Sequence, residues 1–269
     1  MALVVLAASP AMADTSQASA SALRISLVGG GLASSGTATA TNDGTTESIS
    51  GNTNPPLSVL GSQSVITAGV LGQAVHAFND GTSAACAGVV GAGGAITIGA
   101  GGSCLVTPSG SVVLTLGLSG PATIAIEAEE IYSSCTATSS PSATGTTVLS
   151  NARITSTVAG VTTTLLSLPA NPAPNTTLGV PNVLDITLNE QTSSTTGQLS
   201  VTALDLSALA GTLASVTIGL SSCGPNAIAP PVSVIPLAGM PVALGLGALA
   251  SGIGGGIVLL RRRRADARA

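Results

Sequence analysis

In ALRISLV (residues 22–28), Leu23, Ile25 and Leu27 alternate with Arg24 and Ser26. That period of two predicts a strand with one apolar face. The same alternation runs through SVVLTLGL (111–118), ATIAIEAEEI (122–131), NVLDITLNE (182–190), QLSVTALDL (198–206) and ASVTIGL (214–220). Turn residues separate these runs, among them Asn42-Asp43-Gly44, Asn54-Pro55-Pro56, Asn79-Asp80-Gly81 and Ser119-Gly120-Pro121. No stretch before residue 242 carries a helical period. Many short strands joined by Gly, Pro and Asn turns predict an all-β fold, an antiparallel β-sandwich-like domain over residues 14–225. The proline-spaced segment 168–182 reads as an extended, exposed connection, and the glycines of 29–31 and 91–102 as flexible loops.

Both ends of the chain break this pattern. Residues 242–260, VALGLGALASGIGGGIVLL, hold no charge. As a helix they would measure about 28 Å, close to the ~30 Å hydrocarbon core of a bilayer. Arg261, Arg262, Arg263 and Arg264 follow as a stop-transfer signal, and five of the seven basic residues lie in the last nine positions. Basic residues beside a span stay cytoplasmic and are attracted by anionic lipid. Residues 261–269 are therefore expected to form a cytoplasmic tail, with membrane lipid as the partner of the one C-terminal transmembrane helix. Residues 1–13 carry an apolar run ending Ala11-Met12-Ala13, the small-x-small form of a signal-peptide cleavage site. Cleavage there leaves Asp14 first and the domain of residues 14–225 extracellular, joined to the membrane by a linker at 226–241.

Charge and cysteine content narrow the partners. Between residues 14 and 241, Arg24 and Arg153 stand against ten carboxylates, a net charge of about −8. Such a surface repels nucleic acid. Cys86, Cys104, Cys135 and Cys223 all fall in the exported region, an even count that reads as two disulfides. Three pairings are formally possible; Cys86–Cys104, closing a glycine-rich loop, and Cys135–Cys223, closing the later half, are preferred. Zinc is disfavoured by the lack of a CxxC and the single histidine.

Two segments resemble, as a pair, a known group of surface proteins. IEAEEIYSSCTATSSPSATGTTVLSNARI (126–154) runs strand, cysteine, Gly-Thr turn, strand. LDITLNEQTSSTTGQLSVTALDLSALAGTLASVTIGLSSCG (184–224) has a Leu-Asn-Glu-Gln turn, a Val-Thr-Ala-Leu strand and a Ser-Ser-Cys-Gly end. Together they resemble the choice-of-anchor P family of bacterial surface proteins, over roughly the second half of the exported region. The resemblance implies an extracellular domain joined to a membrane or wall anchor and supplies no catalytic residues. Asp205 stands where the Ala-Leu-His form of the motif has histidine.

Candidate chemistry is sparse. His76 is the one histidine, in AVHAFNDG with Phe78 and Asp80 on the same face of an expected strand. A secreted hydrolase using His76 and Asp80 is one alternative reading, although no G-x-S-x-G elbow positions a serine. The row Glu127, Glu129 and Glu130 offers a second, a Ca²⁺-binding adhesion module, with Glu127 and Glu129 pointing the same way from one strand. A solvated acidic edge is the plainer account. With no tryptophan, one tyrosine and one phenylalanine, a sugar-stacking platform is missing. The leading expectation is a membrane-anchored cell-surface protein of structural or interaction type, with no catalysis, cofactor or metal and an unidentified surface partner.

Overall fold

The computed structural model describes residues 14–27, 32–54, 66–117, 122–138, 142–181, 184–208 and 213–227. The signal segment 1–13, the span 242–260 and the tail arginines lie outside these. Among the described residues no helix is long and apolar enough to cross a membrane.

The described residues form nineteen strands, all paired antiparallel. The seven-stranded sheet runs β16 (Thr176–Val180), β17 (Leu184–Ser193), β18 (Leu199–Ala208), β19 (Leu213–Cys223), β1 (Ser16–Leu27) and β2 (Leu32–Ser34). β3 (Ala38–Asn42) also pairs with β1. A five-stranded sheet runs β13 (Ala143–Ser150), β12 (Glu130–Ala137), β7 (Ser83–Val90), β6 (Val70–Ala77) and β4 (Ser48–Thr53). A second runs β15 (Val161–Ser167), β14 (Arg153–Val158), β11 (Ala122–Ala128), β10 (Val112–Gly117) and β5 (Ile66–Ala68). β8 (Ala95–Ile98) and β9 (Cys104–Thr107) make a separate hairpin. The two five-stranded sheets follow one another along the chain: β5 leads into β6, β11 into β12 and β13 into β14. Together they form one layer, and the seven-stranded sheet is the other.

Where strands pass between the two halves, the inside–outside alternation slips by one residue. In β1 the buried apolar positions are Ala18, Ala20 and Ala22, then Leu23 and Ile25. β18 changes between Ala203 and Leu204 and β17 between Leu188 and Asn189, all four buried. In β19 the inward set Val216 and Ile218 gives way to Ser221 and Cys223, with Gly219 at φ +64° between. The ladders step from Leu188↔Leu204 to Glu190↔Thr202 and from Leu23↔Ile218 to Ser21↔Leu220, leaving Asn189, Ala203, Gly219 and Ala22 as an unpaired row. The facing layer is also broken, through Glu129 between β11 and β12 and through Asn151 and Ala152 between β13 and β14. ATIAIEAEEI is accordingly two strands rather than the single one its alternation predicts.

Interrupting a ladder leaves backbone groups that must bond elsewhere. Buried polar side chains take them. The Ala22 amide donates to Ser35 Oγ at 3.0 Å and Gln73 Oε1 at 3.2 Å, and Ser133 Oγ donates to the Gly219 carbonyl at 2.7 Å. Asn189 donates through Nδ2 to the Pro172 carbonyl at 2.9 Å, while its own carbonyl accepts from the Asn175 amide at 2.8 Å. Among the described residues no buried side-chain nitrogen or oxygen lacks a partner.

The slip divides two different cores. One half packs large residues, including Leu23, Ile25, Leu114, Ile126, Ile154, Ile186, Leu204 and Ile218. The other packs Ala18, Ala20, Ala38, Ala40, Ala77, Ala85 and Ala87 with Val75. Alanine buries little apolar area, whereas a buried Leu or Ile side chain contributes about 1.5–3 kcal/mol. Cross-linking concentrates in the alanine half. Cys135 of β12 bonds Cys223 of β19, joining the two layers with Cα atoms 5.8 Å apart, and Cys86 of β7 bonds Cys104 of β9 at 5.9 Å.

Three local expectations change. Segment 168–182 is not merely an exposed connection, for residues 176–180 form β16, Leu168 is buried, and Leu178 and Val180 pack on the core. The 91–102 glycines flank a built strand and 3₁₀ turn, β8 and Ala100–Gly102. The domain also reaches past residue 225, since Thr15 and Ala227 exchange backbone hydrogen bonds of 2.9 and 3.0 Å. The chain thus enters and leaves the domain side by side, at the alanine end.

Candidate functional site

β7 is buried along its whole length. One face meets the seven-stranded sheet through Ala85 and Ala87; the other is covered by the β8–β9 hairpin, whose Ile96 packs with Cys86 and Val90. Cys86–Cys104 fastens that hairpin across the outer face of the sheet. Gly72 of the neighbouring β6 makes room for it, since a Cβ there would stand 2.8 Å from Ile96 Cβ.

Between the hairpin and the β4–β6 edge lies a groove of about 460 Å³. Ile49, Asn52, His76, Phe78, Ile96 and Ile98 are among the residues that line it. His76 lies on β6 opposite Ile49 of β4, and its Nε2 hydrogen-bonds Glu47 Oε1. The imidazole stacks on Phe78, with ring centroids 3.5 Å apart and planes 20° from parallel. His76 is buried, whereas Ile49 is 71% exposed. An imidazole fixed by a carboxylate on one side and a ring on the other is held in one orientation.

This differs from the expected His76–Asp80 pair. β6 ends at Ala77, and Asp80 sits in the following turn, accepting the Thr82 amide at 2.9 Å. Glu47 is the acid that reaches the imidazole, brought in by β4 from 29 residues earlier in the chain. No local spacing marks that partner; only the β4–β6 pairing does. Phe78 falls where expected, beside His76.

The acidic row is also rearranged. Glu127 Oε2 accepts from Arg153 Nε at 3.0 Å across the β11–β14 ladder, and Glu127 Oε1 accepts from Thr155 Oγ1 at 3.2 Å. Glu130 Oε1 accepts from Ser150 Oγ at 2.7 Å. Glu129 occupies the break between β11 and β12, so it does not continue the face of Glu127 on one strand. Arg153 and hydroxyls thus hold oxygens that a cation would need. Among the described residues no group of three or more His, Cys, Asp or Glu is placed to hold a metal. Asp205 Oδ2 accepts from Thr217 Oγ1 at 2.8 Å within the β18–β19 ladder, a structural contact.

Tyr132, on the outer face of β12, packs against the cluster of Cys86, Val90 and Ile96, as do Ile98 and Val106. Burial, and then the negative charge of Glu130, raise its phenol above the ordinary value of 10.0. The folded protein therefore keeps this proton at a pH where the unfolded chain releases it. The stability this contributes is complete below pH 10 and is lost as pH rises through the folded value. Tyr132 is the only tyrosine in the chain. Phenolate absorbance near 295 nm should therefore give one midpoint above 10 in the native protein, returning to about 10 in denaturant. Equal native and denatured midpoints would contradict the burial.

No family model, curated protein or solved structure matches the chain.

Proposed function

We propose that the chain is a membrane-anchored bacterial cell-surface protein of structural or interaction type, in which a disulfide-linked β-sandwich is displayed outside the cell. The observation that supports this most is the pairing of Thr15 with Ala227. It gathers both exits of the chain at one end, as suits a domain that follows a cleaved leader and precedes a tether. The opposite end, with the β14–β15 turn at Ala159 and Gly160, then faces away from the attachment. Two disulfides accord with an oxidising compartment. The choice-of-anchor P resemblance in residues 126–154 and 184–224 points the same way. The His76–Glu47–Phe78 arrangement reads as a packed anchor for the β4 edge rather than a reacting centre, because Glu47 and Phe78 hold the ring in place.

The anchor gives a direct test. IPLAGMP (235–241) lacks the Leu-Pro-x-Thr-Gly that a sortase would cut, so the helix and arginines are retained. Moving arginines through the bilayer centre costs about 2.5–3.5 kcal/mol each on insertion scales, which holds them inside. An epitope tag after Ala269 should stay with the membrane fraction and resist protease on intact cells, becoming cleavable only after lysis. A tag digested on intact cells, or a mature domain recovered in the medium without it, would sink the proposed topology.

A further inference from the structure

We infer that the free edge of β15 is a self-association surface, at which a second copy of this chain adds its own β15 antiparallel and continues the sheet across a two-fold axis. Among the described residues β15 ends its sheet and pairs with β14 alone. Six of its seven residues are exposed, Leu166 being the exception, and Val161 is 66% exposed. Its sequence, VTTTLLS, is rich in β-branched residues and holds neither charge nor proline. Natural edge strands are usually blunted by lysine, proline, brevity or a cover, because their backbone N–H and C=O groups template further pairing.

Most of the other edges are blunted in comparable ways. β2 and β5 have three residues each, and β4 is interrupted by Gly51 at φ +135°. β13 is engaged from the side, its Gly145 carbonyl accepting from Gln191 Nε2 and its Leu149 amide donating to the Ala170 carbonyl. β16 is short and holds Gly179. β15 has only one such feature, a register shift opposite Ile154 and Thr155 that sets Leu165 out of the ladder. Before it, Val161, Thr162, Thr163 and Thr164 pair in regular order with Val158, Thr157, Ser156 and Thr155.

Charge selects the occupant. The exported region carries about −8, so two copies repel over most of their surfaces. Residues 154–184, which include β15, all of its neighbour β14 except Arg153, and β16, contain no charged residue. Here two acidic molecules can meet without opposing carboxylates. The regular run is also compatible with itself: a two-fold through Thr163 sets Thr163 of one copy opposite Thr163 of the other, and Thr162 opposite Thr164. Threonine pairs and β-branched pairs are favourable cross-strand neighbours. The contact is isologous and uses up the edge in both copies, so it closes as a dimer.

Sedimentation equilibrium of the full chain in mild detergent tests this. The expected result is a dimer that dissociates on dilution, and a dissociation constant at least tenfold weaker in Thr163→Lys with unchanged far-ultraviolet circular dichroism. Ser50→Lys, on the β4 edge, should dimerise as the unaltered chain does. Mixing Thr162→Cys and Thr164→Cys chains under mild oxidation should give the mixed disulfide in excess over either self-linked product. An unaltered chain that is monomeric throughout, a dimer that survives Thr163→Lys, equal weakening by Ser50→Lys, or an excess of self-linked products would each overturn the inference.

Discussion

Replacing Cys135 and Cys223 together with alanine should lower the unfolding free energy by about 4.5 kcal/mol, against about 3 kcal/mol for the Cys86/Cys104 pair. The difference follows from the loops closed, with sequence separations of 88 and 18 residues. A cross-link restricts the unfolded chain more when the loop is longer. The sites differ as well. Cys135 and Cys223 are both buried, packed with Ala137, Leu199 and Val201, and join the layers where the core is otherwise small-residued. Alanine is the right replacement, since serine would bury a hydroxyl at the same time. Urea unfolding of the two double variants measures the ranking. A Cys135/Cys223 loss no larger than the Cys86/Cys104 loss would show that loop length does not govern stability here.

Gly219→Ala should cost roughly 3 kcal/mol. A left-handed backbone costs an L-residue about 1–2 kcal/mol, and forcing a methyl into a filled space typically costs about 1–3 more. The first contribution comes from φ +64°; the second arises because a Cβ would lie 2.6 Å from the Ala87 carbonyl oxygen and 3.2 Å from the Ser133 nitrogen, both in the opposite layer. Gly160→Ala separates the two effects, for Gly160 has φ +81° but nothing within 4 Å of the added carbon. Thermal denaturation of both variants should place Gly219→Ala well below Gly160→Ala. Equal melting temperatures would mean that the layers have room to part.

Much of the architecture was legible because period-two patterns are local. Leu23, Ile25, Ile186, Leu188, Val216 and Ile218 alternate plainly in the sequence and all face the core. Alanine and serine hid most of the rest. β3 reads ATATN and β7 reads SAACAGVV, patterns too weak in hydrophobic contrast to announce strands, yet β7 is buried on both sides. The mid-height slip defeats strict alternation, although neighbouring inward residues such as Ala203-Leu204 leave a trace of it in VTALDL. The paired cysteines could be argued from spacing. Glu47 could not, because its approach to His76 depends on β4 lying beside β6, a contact made between segments whose own patterns are faint.

The side-by-side exits also decide how the molecule carries load. Force applied through residue 227 meets first the Thr15–Ala227 bridge, a pair of hydrogen bonds that would open in turn like a zip. A few residues further in, it reaches Cys223, whose covalent bond passes the tension to Cys135 on β12. β12 is flanked by β7 and β13, with eight paired positions on each side. The pull is thereby shared between both layers, and peeling of β19 stops before it reaches the leucine–isoleucine core.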